Sequence, residues 1–235
     1  MRVAVIIPAH NEARLFLRVI NNLPSWVDET ILVDDASTDE TSEKVLKNQM
    51  MGFVPNHFHY LRNPKRLGVG GAIMNGHEEA RRLGADVDVV MAGDDQMDPK
   101  YLPNLLDAID KGFDYAKGNR FMASLKGMPP ERIFVNMTQG LLMKFVSGYW
   151  HISDPQNGYT ALRTSMLDRI QAWHIWKGYF FENDMLVHLK VANARVCDVP
   201  IPARYEDEES GIRIRSFLPL MLTLLAHRLF WRLRQ

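Results

Sequence analysis

Cysteine is almost absent from the 235-residue chain. Cys197 stands alone, which excludes an intramolecular disulfide and fits a reducing compartment. Net charge is missing too: 28 Lys and Arg balance 28 Asp and Glu. There is therefore no global field of the kind that marks a nucleic-acid-binding domain, and no nucleic-acid partner is expected. Long apolar runs are lacking. The stretch 217–233 is interrupted by Pro219, His227, Arg228 and Arg232, so it falls short of the ~20 residues that span a bilayer. The first residues pass directly from Met1 into the apolar run Val3 to Ile7, without the charged start, long apolar core and cleavage site of a secretory signal, which reads as a cytoplasmic chain. The dinucleotide fingerprint is not there: after Gly68 and Gly70, Ile73 stands where the third glycine belongs, which disfavours a dehydrogenase. The P-loop pattern is also missing.

What is present is globular material. With 46% hydrophobic and 24% charged residues the chain can bury a sizeable core, and its length fits one large domain, 1–212, with an appendage over 213–235. The first half alternates short apolar runs with helical periodicity, the pattern of βαβ units on a parallel sheet. Strands are predicted over 2–7, 30–33, 57–61, 87–91 and 114–117, with helices over 13–22, 41–49, 71–83 and 100–109. The second half is less regular. It offers an amphipathic stretch at 132–146, a strand near 159–162, a helix over 179–191 and a strand-like segment around Cys197. Between Ser210 and Gln235 there are five arginines and no acid, so the last segment reads as a basic interfacial helix, with Trp231 as an aromatic anchor at a membrane surface.

In parallel sheets ligands sit beyond the carboxyl ends of the strands, and three such places are polar here. Asp94, Asp95 and Asp98 come with Gln96 within five positions; carboxylates and an amide oxygen on one loop suit a hard divalent cation, Mg2+ or Mn2+. Asp98, before Pro99, also fits a helix cap. Asp34 and Asp35 end a strand and can accept hydrogen bonds from a ribose or base, while Ser37, Thr38 and Asp39 fit a cap. Around Lys65, Arg66, Gly68, Gly70 and Gly71, glycines and cations precede a helix, a layout that can approach a diphosphate. His10, alone after a strand, is expected only near the donor.

Seven short segments occur in a characteristic order: Ile6 to Glu12, Val33 to Asp39, Gly68 to Gly71, Asp94 to Pro99, Gly118-Asn119-Arg120, Asp154 to Tyr159, and Phe180 to Asp184. This succession resembles glycosyltransferase family 2, in particular its branch of polyprenyl-phosphate sugar transferases similar to dolichol-phosphate mannose synthase. The resemblance implies an α/β GT-A fold, Rossmann-like, with a mostly parallel central sheet. It implies a donor site around Pro8, Ala9, His10, Asn11, Glu12, Asp35, Ser37, Lys65 and Gly71, with Asp94 and Gln96 on metal and diphosphate. One departure stands out. The family's Asp-x-Asp signature places a carboxylate two residues before Asp94, where this chain has Ala92, so the metal site has either lost a ligand or recruits Asp95.

The expected activity is inverting transfer of a hexose from a UDP- or GDP-sugar to a polyprenyl phosphate on the cytoplasmic face of a membrane. A lipid phosphate, with a second ionisation near pH ~6, is already anionic and needs no strong base. Arginines then matter for the acceptor: Arg120 first, then Arg132 and Arg213, because guanidinium binds phosphate bidentately. Asp154, Glu182 and Asp184 resemble the family's acceptor-side acids. Two alternatives stay open, a family 2 enzyme acting on a sugar hydroxyl with one of these acids as base, and a nucleotide-sugar-binding protein that has lost catalysis. A membrane-protein partner or a homo-oligomer is compatible with the sequence.

Overall fold

The computed structural model describes residues 1–123, 130–170, 174–178, 180–202 and 214–234. Strands β1 (Val3–Ala9), β2 (Glu29–Asp34), β3 (Phe58–Arg62), β4 (Val87–Val90), β5 (Tyr115–Asn119), β6 (Thr160–Arg163) and β7 (Val196–Pro200) form one sheet in the order β3-β2-β1-β4-β6-β5-β7. All run parallel except β6, which is inserted antiparallel between β4 and β5. The mostly parallel sheet expected from the alternating pattern is present, and the sequence boundaries fall within a few residues of the observed ones.

Alternation along β1 explains how the sheet acquires two cores. Val3, Val5 and Ile7 join Val87 and Val89 on one face. There they meet α1 (Phe16–Asn21), α2 (Thr41–Met50) and α4 (Leu102–Asp110) through Phe16, Val45 and Leu105. Ala4 and Ile6 turn to the other face, against Ala72 and Ala80 of α3 (Val69–Arg82). Gly76 of α3 permits that approach: a Cβ there would stand 2.2 Å from Ile6 Cγ2.

On the same face, farther along the sheet, α5 (Pro130–Ser147), α6 (Phe181–Val191) and α7 (Ile214–Leu233) enclose a second core around Tyr115, Met143 and Leu186. The described part of the 213–235 segment belongs to this core. Leu225 of α7 is buried in it and Trp231 packs on it, with its ring 4.6 Å from that of His188. Trp231, expected as an aromatic anchor, is partly buried and packs on α6. Two arginines of the segment are engaged within the protein: Arg228 pairs with Asp184, and Arg232 donates to the Phe145 carbonyl at 3.1 Å. Among the described residues no helix is long and apolar enough to cross a membrane.

Candidate active site

The strand order reverses at β1, which has β2 on one side and β4 on the other; this is the switch point where open parallel sheets form a crevice. Three loops leave the sheet there, and each contains one non-glycine residue in the left-handed region: Asn11 (φ 63°), Ala36 (φ 55°) and Asp95 (φ 62°). Such conformations persist only where surrounding bonds over-determine them. The Asn11 side-chain oxygen accepts from the Thr38 N–H at 2.8 Å, and the Asn11 N–H donates to Ser37 Oγ at 3.0 Å. His10 Nδ1 lies 2.9 Å from the Asp35 carbonyl, so its visible role is to join two loops.

Asp34 and Asp35 divide the work of holding this crevice. Asp34 is fully buried and accepts from the Ser37 N–H (2.7 Å), the Ser42 hydroxyl (2.6 Å) and the Tyr60 hydroxyl (2.9 Å). Burial alone would raise its carboxyl, but these bonds hold it below the usual range. Asp35 reaches the glycine loop, accepting from Asn63 Nδ2 and from the N–H groups of Leu67 and Gly68, each at 2.8 Å.

The glycine loop itself departs from expectation. The N–H groups of Gly70 and Gly71 at the start of α3 both donate to the Lys177 carbonyl, at 2.9 and 3.3 Å. A Cβ on Gly68 would stand 2.6 Å from that oxygen, and one on Gly70 would stand 2.5 Å from the Phe181 ring. The glycines therefore serve close packing, and the diphosphate cradle expected at Gly71 is taken by a backbone carbonyl. Lys65 is exposed at the rim of the loop.

The third loop follows β4. The Gly93 N–H donates to the Pro8 carbonyl at 3.3 Å, and a Cβ at Gly93 would lie 3.4 Å from Glu12 Cγ, which brings the Asp94 loop beside Pro8, Ala9 and Glu12. Asp95 is buried and bound to Arg18 Nε at 2.6 Å, so it is committed to a cation of the protein and does not replace the ligand missing at Ala92. Asp98 caps the turn at Pro99–Tyr101, accepting from the Lys100 N–H at 3.0 Å. Asp94 is different. It accepts from the Gln96 N–H at 3.1 Å and pairs with no basic side chain among the described residues; burial raises its carboxyl, opposed by the Gln96 N–H and reinforced by the Asp95 charge. Among the described residues no group of three His, Cys, Asp or Glu surrounds a common point. An uncompensated carboxylate beside the Gln96 amide still fits a hard cation whose remaining ligands are water and phosphate oxygens, as is usual for Mg2+.

Across the crevice lies a second polar cluster at the ends of β5 and β7. Asp154, fully buried, grips Arg120 through Nε and Nη2, each at 2.7 Å, and through the backbone N–H at 3.0 Å. Glu182, in the first turn of α6, sends its carboxylate to the turn before β6, where a Cβ on Gly158 would stand 3.5 Å from Glu182 Oε1 and 3.4 Å from Met97 of the Asp94 loop. Burial raises the Glu182 carboxyl and Lys117 opposes this. Lys117 and Asp198 escaped sequence reasoning. Each is a charge inside an otherwise apolar strand segment, and that signal was available: Lys117 follows Tyr115-Ala116, and Asp198 lies between Cys197 and Val199.

The structure separates the two acids the sequence left together. Asp184 turns away from Glu182 and accepts from the Trp176 N–H at 2.7 Å and from Arg228 Nη2 at 2.7 Å, with Arg228 Nε at 2.6 Å. Its carboxylate anchors α7 to α6, a structural assignment that replaces the acceptor-side role expected for it. Of the weaker acceptor cations, Arg132 falls in the first turn of α5, but its side chain, like the whole of Arg213, lies outside the described residues.

Comparison with solved structures fits this architecture. Glucosyl-3-phosphoglycerate synthase from Mycobacterium tuberculosis, crystallised with Mn2+, UDP and phosphoglyceric acid, superposes with a TM-score of 0.71 at 19% identity, covering 98% of this chain and 78% of that one. The fold is the GT-A glycosyltransferase fold. The model of the family described as Glycosyl transferase family 2 matches residues 4–171. Polyprenol monophosphomannose synthase of Mycolicibacterium smegmatis is 28% identical over 216 residues, 90% of this chain and 80% of that protein. Dolichol-phosphate mannosyltransferase of Pyrococcus furiosus is 31% identical over 229 residues, 93% of this chain and 62% of that protein. The chain belongs to glycosyltransferase family 2.

Proposed function

We propose that this glycosyltransferase moves a hexose from a UDP- or GDP-sugar to a polyprenyl phosphate at a membrane surface, with inversion at the anomeric carbon. The observation that carries the reading is the placement of Arg120. Its guanidinium is fixed by Asp154 yet partly exposed, and an apolar helix stands beside it: a Cβ on Gly140 of α5 would come within 2.8 Å of the Ser153 carbonyl, next to Asp154. The far side of α5 exposes Met137, Leu141 and Phe145, with Trp150 against the Phe145 ring. A rigid phosphate receptor beside a helix whose outer side exposes apolar side chains matches an anionic headgroup on an isoprenoid chain. Both curated relatives are named for polyprenol or dolichol phosphate chemistry.

In the proposed step a phosphate oxygen of the acceptor forms the new bond to the anomeric carbon as the bond to the nucleoside diphosphate breaks, which inverts that centre. Above pH ~6 the acceptor is predominantly dianionic and loses no proton. The chain's own contribution is to place the two anions: the three stitched loops form the donor crevice, and Arg120 orients the acceptor. Asp94 and Gln96 are the groups that would hold a divalent cation. Such an ion, when bound, compensates charge on the departing diphosphate.

The test is transfer by the purified protein from GDP-mannose, UDP-glucose or UDP-N-acetylglucosamine to polyprenyl phosphate and, in parallel, to the free polyprenol, with Mn2+ or with a chelator. Product on the phosphate alone is expected. Product on neither lipid but on a glycan hydroxyl would sink the reading and favour the hydroxyl-acceptor alternative, for which the partly buried Glu182 carboxylate is the available base. Glu182→Gln then distinguishes the two: a loss below about tenfold fits a phosphate acceptor, and a loss of at least about 100-fold fits general base catalysis.

A further inference from the structure

Lys117 is 0% exposed and, among the described residues, is the one buried Lys or Arg. It extends from β5 to donate to the Asn157 carbonyl, on the same turn that Glu182 approaches at Gly158. Its register partner on β7 is Asp198. One Asp198 oxygen accepts from the Ser153 N–H at 2.9 Å, while the other is buried without a hydrogen-bond partner. Three carboxylates thus face Lys117 from three elements, Glu182 on α6, Asp154 before β6 and Asp198 on β7, and the nearby cation is Arg120.

We propose that Lys117 is a positioning residue for acceptor selection: its buried ammonium offsets one charge of the Glu182 and Asp198 pair, so that Arg120, already matched by Asp154, presents a field that admits a doubly negative acceptor. The inference rests on the phosphate-acceptor reading above. Without the Lys117 charge, two acids rather than one are unmatched at the acceptor side, and the added Coulomb repulsion in a weakly screened site falls on the incoming phosphate. The donor crevice, built on β1, β2 and β4, is formed by other residues and keeps its affinity. Burial lowers the Lys117 ammonium to about 8 against the pull of Glu182, Asp154 and Asp198. Its charge, largely present at neutral pH, is therefore lost as pH rises through that value.

The experiment uses the full chain with farnesyl phosphate as a water-soluble acceptor and a saturating donor. In the natural protein the acceptor KM should rise several-fold between pH 7 and pH 9 while the donor KM holds. Lys117→Met should raise the acceptor KM at pH 7 by roughly tenfold or more, with the donor KM unchanged and the pH 7 to 9 rise gone. Lys117→Met combined with Glu182→Gln removes one charge of each sign and should recover most of that loss. A purely structural role predicts instead that the donor KM and the acceptor KM rise together in Lys117→Met, because a distorted site does not distinguish the two substrates. A flat acceptor KM across pH 7 to 9 in the natural protein, or a double variant no better than Lys117→Met, overturns the proposal while leaving the phosphate reading intact. Absence of any transfer to farnesyl or polyprenyl phosphate by the natural protein, with transfer to a hydroxyl, overturns both. The pH series needs no variant, so misfolding of Lys117→Met does not shelter the proposal.

Discussion

Three acids from the sequence motifs end in three different situations, and substitutions at each should be told apart by what they damage. Asp94 lacks a cationic partner among the described residues, so Asp94→Asn is expected to remove metal-dependent nucleotide binding and lower turnover by about 100-fold or more. Calorimetric titration with UDP and GDP, with Mn2+ and with a chelator, checks the first part. Asp184 holds Arg228; Asp184→Ala leaves that partly exposed guanidinium with only the His174 carbonyl as a hydrogen-bond partner among the described residues and should destabilise the fold by about 1–3 kcal/mol in urea unfolding, with transfer per folded molecule largely retained. Asp34 gathers three donors and is held below the usual carboxylate range. A carboxyl depressed in the folded state stabilises in full above its unfolded value, and that contribution is lost as pH falls through its folded value. Asp34→Asn should therefore be less stable at pH 7 and show a flatter acid side in stability measured from pH 7 down to about pH 3.

Among the secondary-structure elements, α3 and α6 set how closely the site is drawn together. Gly76→Ala would force a Cβ to 2.2 Å from Ile6, moving α3 off β1, and should lower stability by about 1–3 kcal/mol in denaturant unfolding. The βα alternation was legible in the sequence because each strand and helix announces itself by local apolar spacing. So was the Asp94 loop, because polar residues at strand ends are conspicuous, whereas the Arg120 and Asp154 segments stood out only through their resemblance to the family. The antiparallel insertion of β6 was not, since spatial order among strands depends on contacts between residues far apart in the chain. The same holds for Asp184: one turn of α6 sends Glu182 to the site and Asp184 to α7, and only the position of α7 reveals which is which. Gly70 and Gly71 misled for a related reason, because a helix start meant for an anion and one capped by the Lys177 carbonyl have the same local sequence.

Over the described part of the molecule, exposed apolar side chains gather on α2 and the turn after it (Leu46, Met50, Met51 and Phe53) and on α5 and α7. Met137, Leu141, Phe145 and Trp150 lie on or just after α5, and Phe230 and Leu233 lie on the last turns of α7. Under the proposed function this face meets the lipid. Removing α7 would be a poor test, since Leu225 and Arg228 tie it to the core. The double substitution Leu141→Glu with Phe145→Glu should instead reduce sedimentation with anionic liposomes by about tenfold or more, with UDP or GDP affinity unchanged. Unchanged sedimentation would place lipid access elsewhere.

The inserted strand also sets an order of assembly. Strands β1 to β4 are joined by successive crossovers within residues 3–90, whereas β4 gains its other neighbour only from residues 160–163, and β5 gains β7 later still. Closure of such distant pairs is slow compared with local ones. The half that would receive the nucleotide can therefore take shape during synthesis, before the half that would receive the acceptor. In refolding, far-UV ellipticity should recover ahead of the emission change of Trp231, which packs on the later core, so the nascent protein would be competent to hold a donor before it has anywhere to send the sugar.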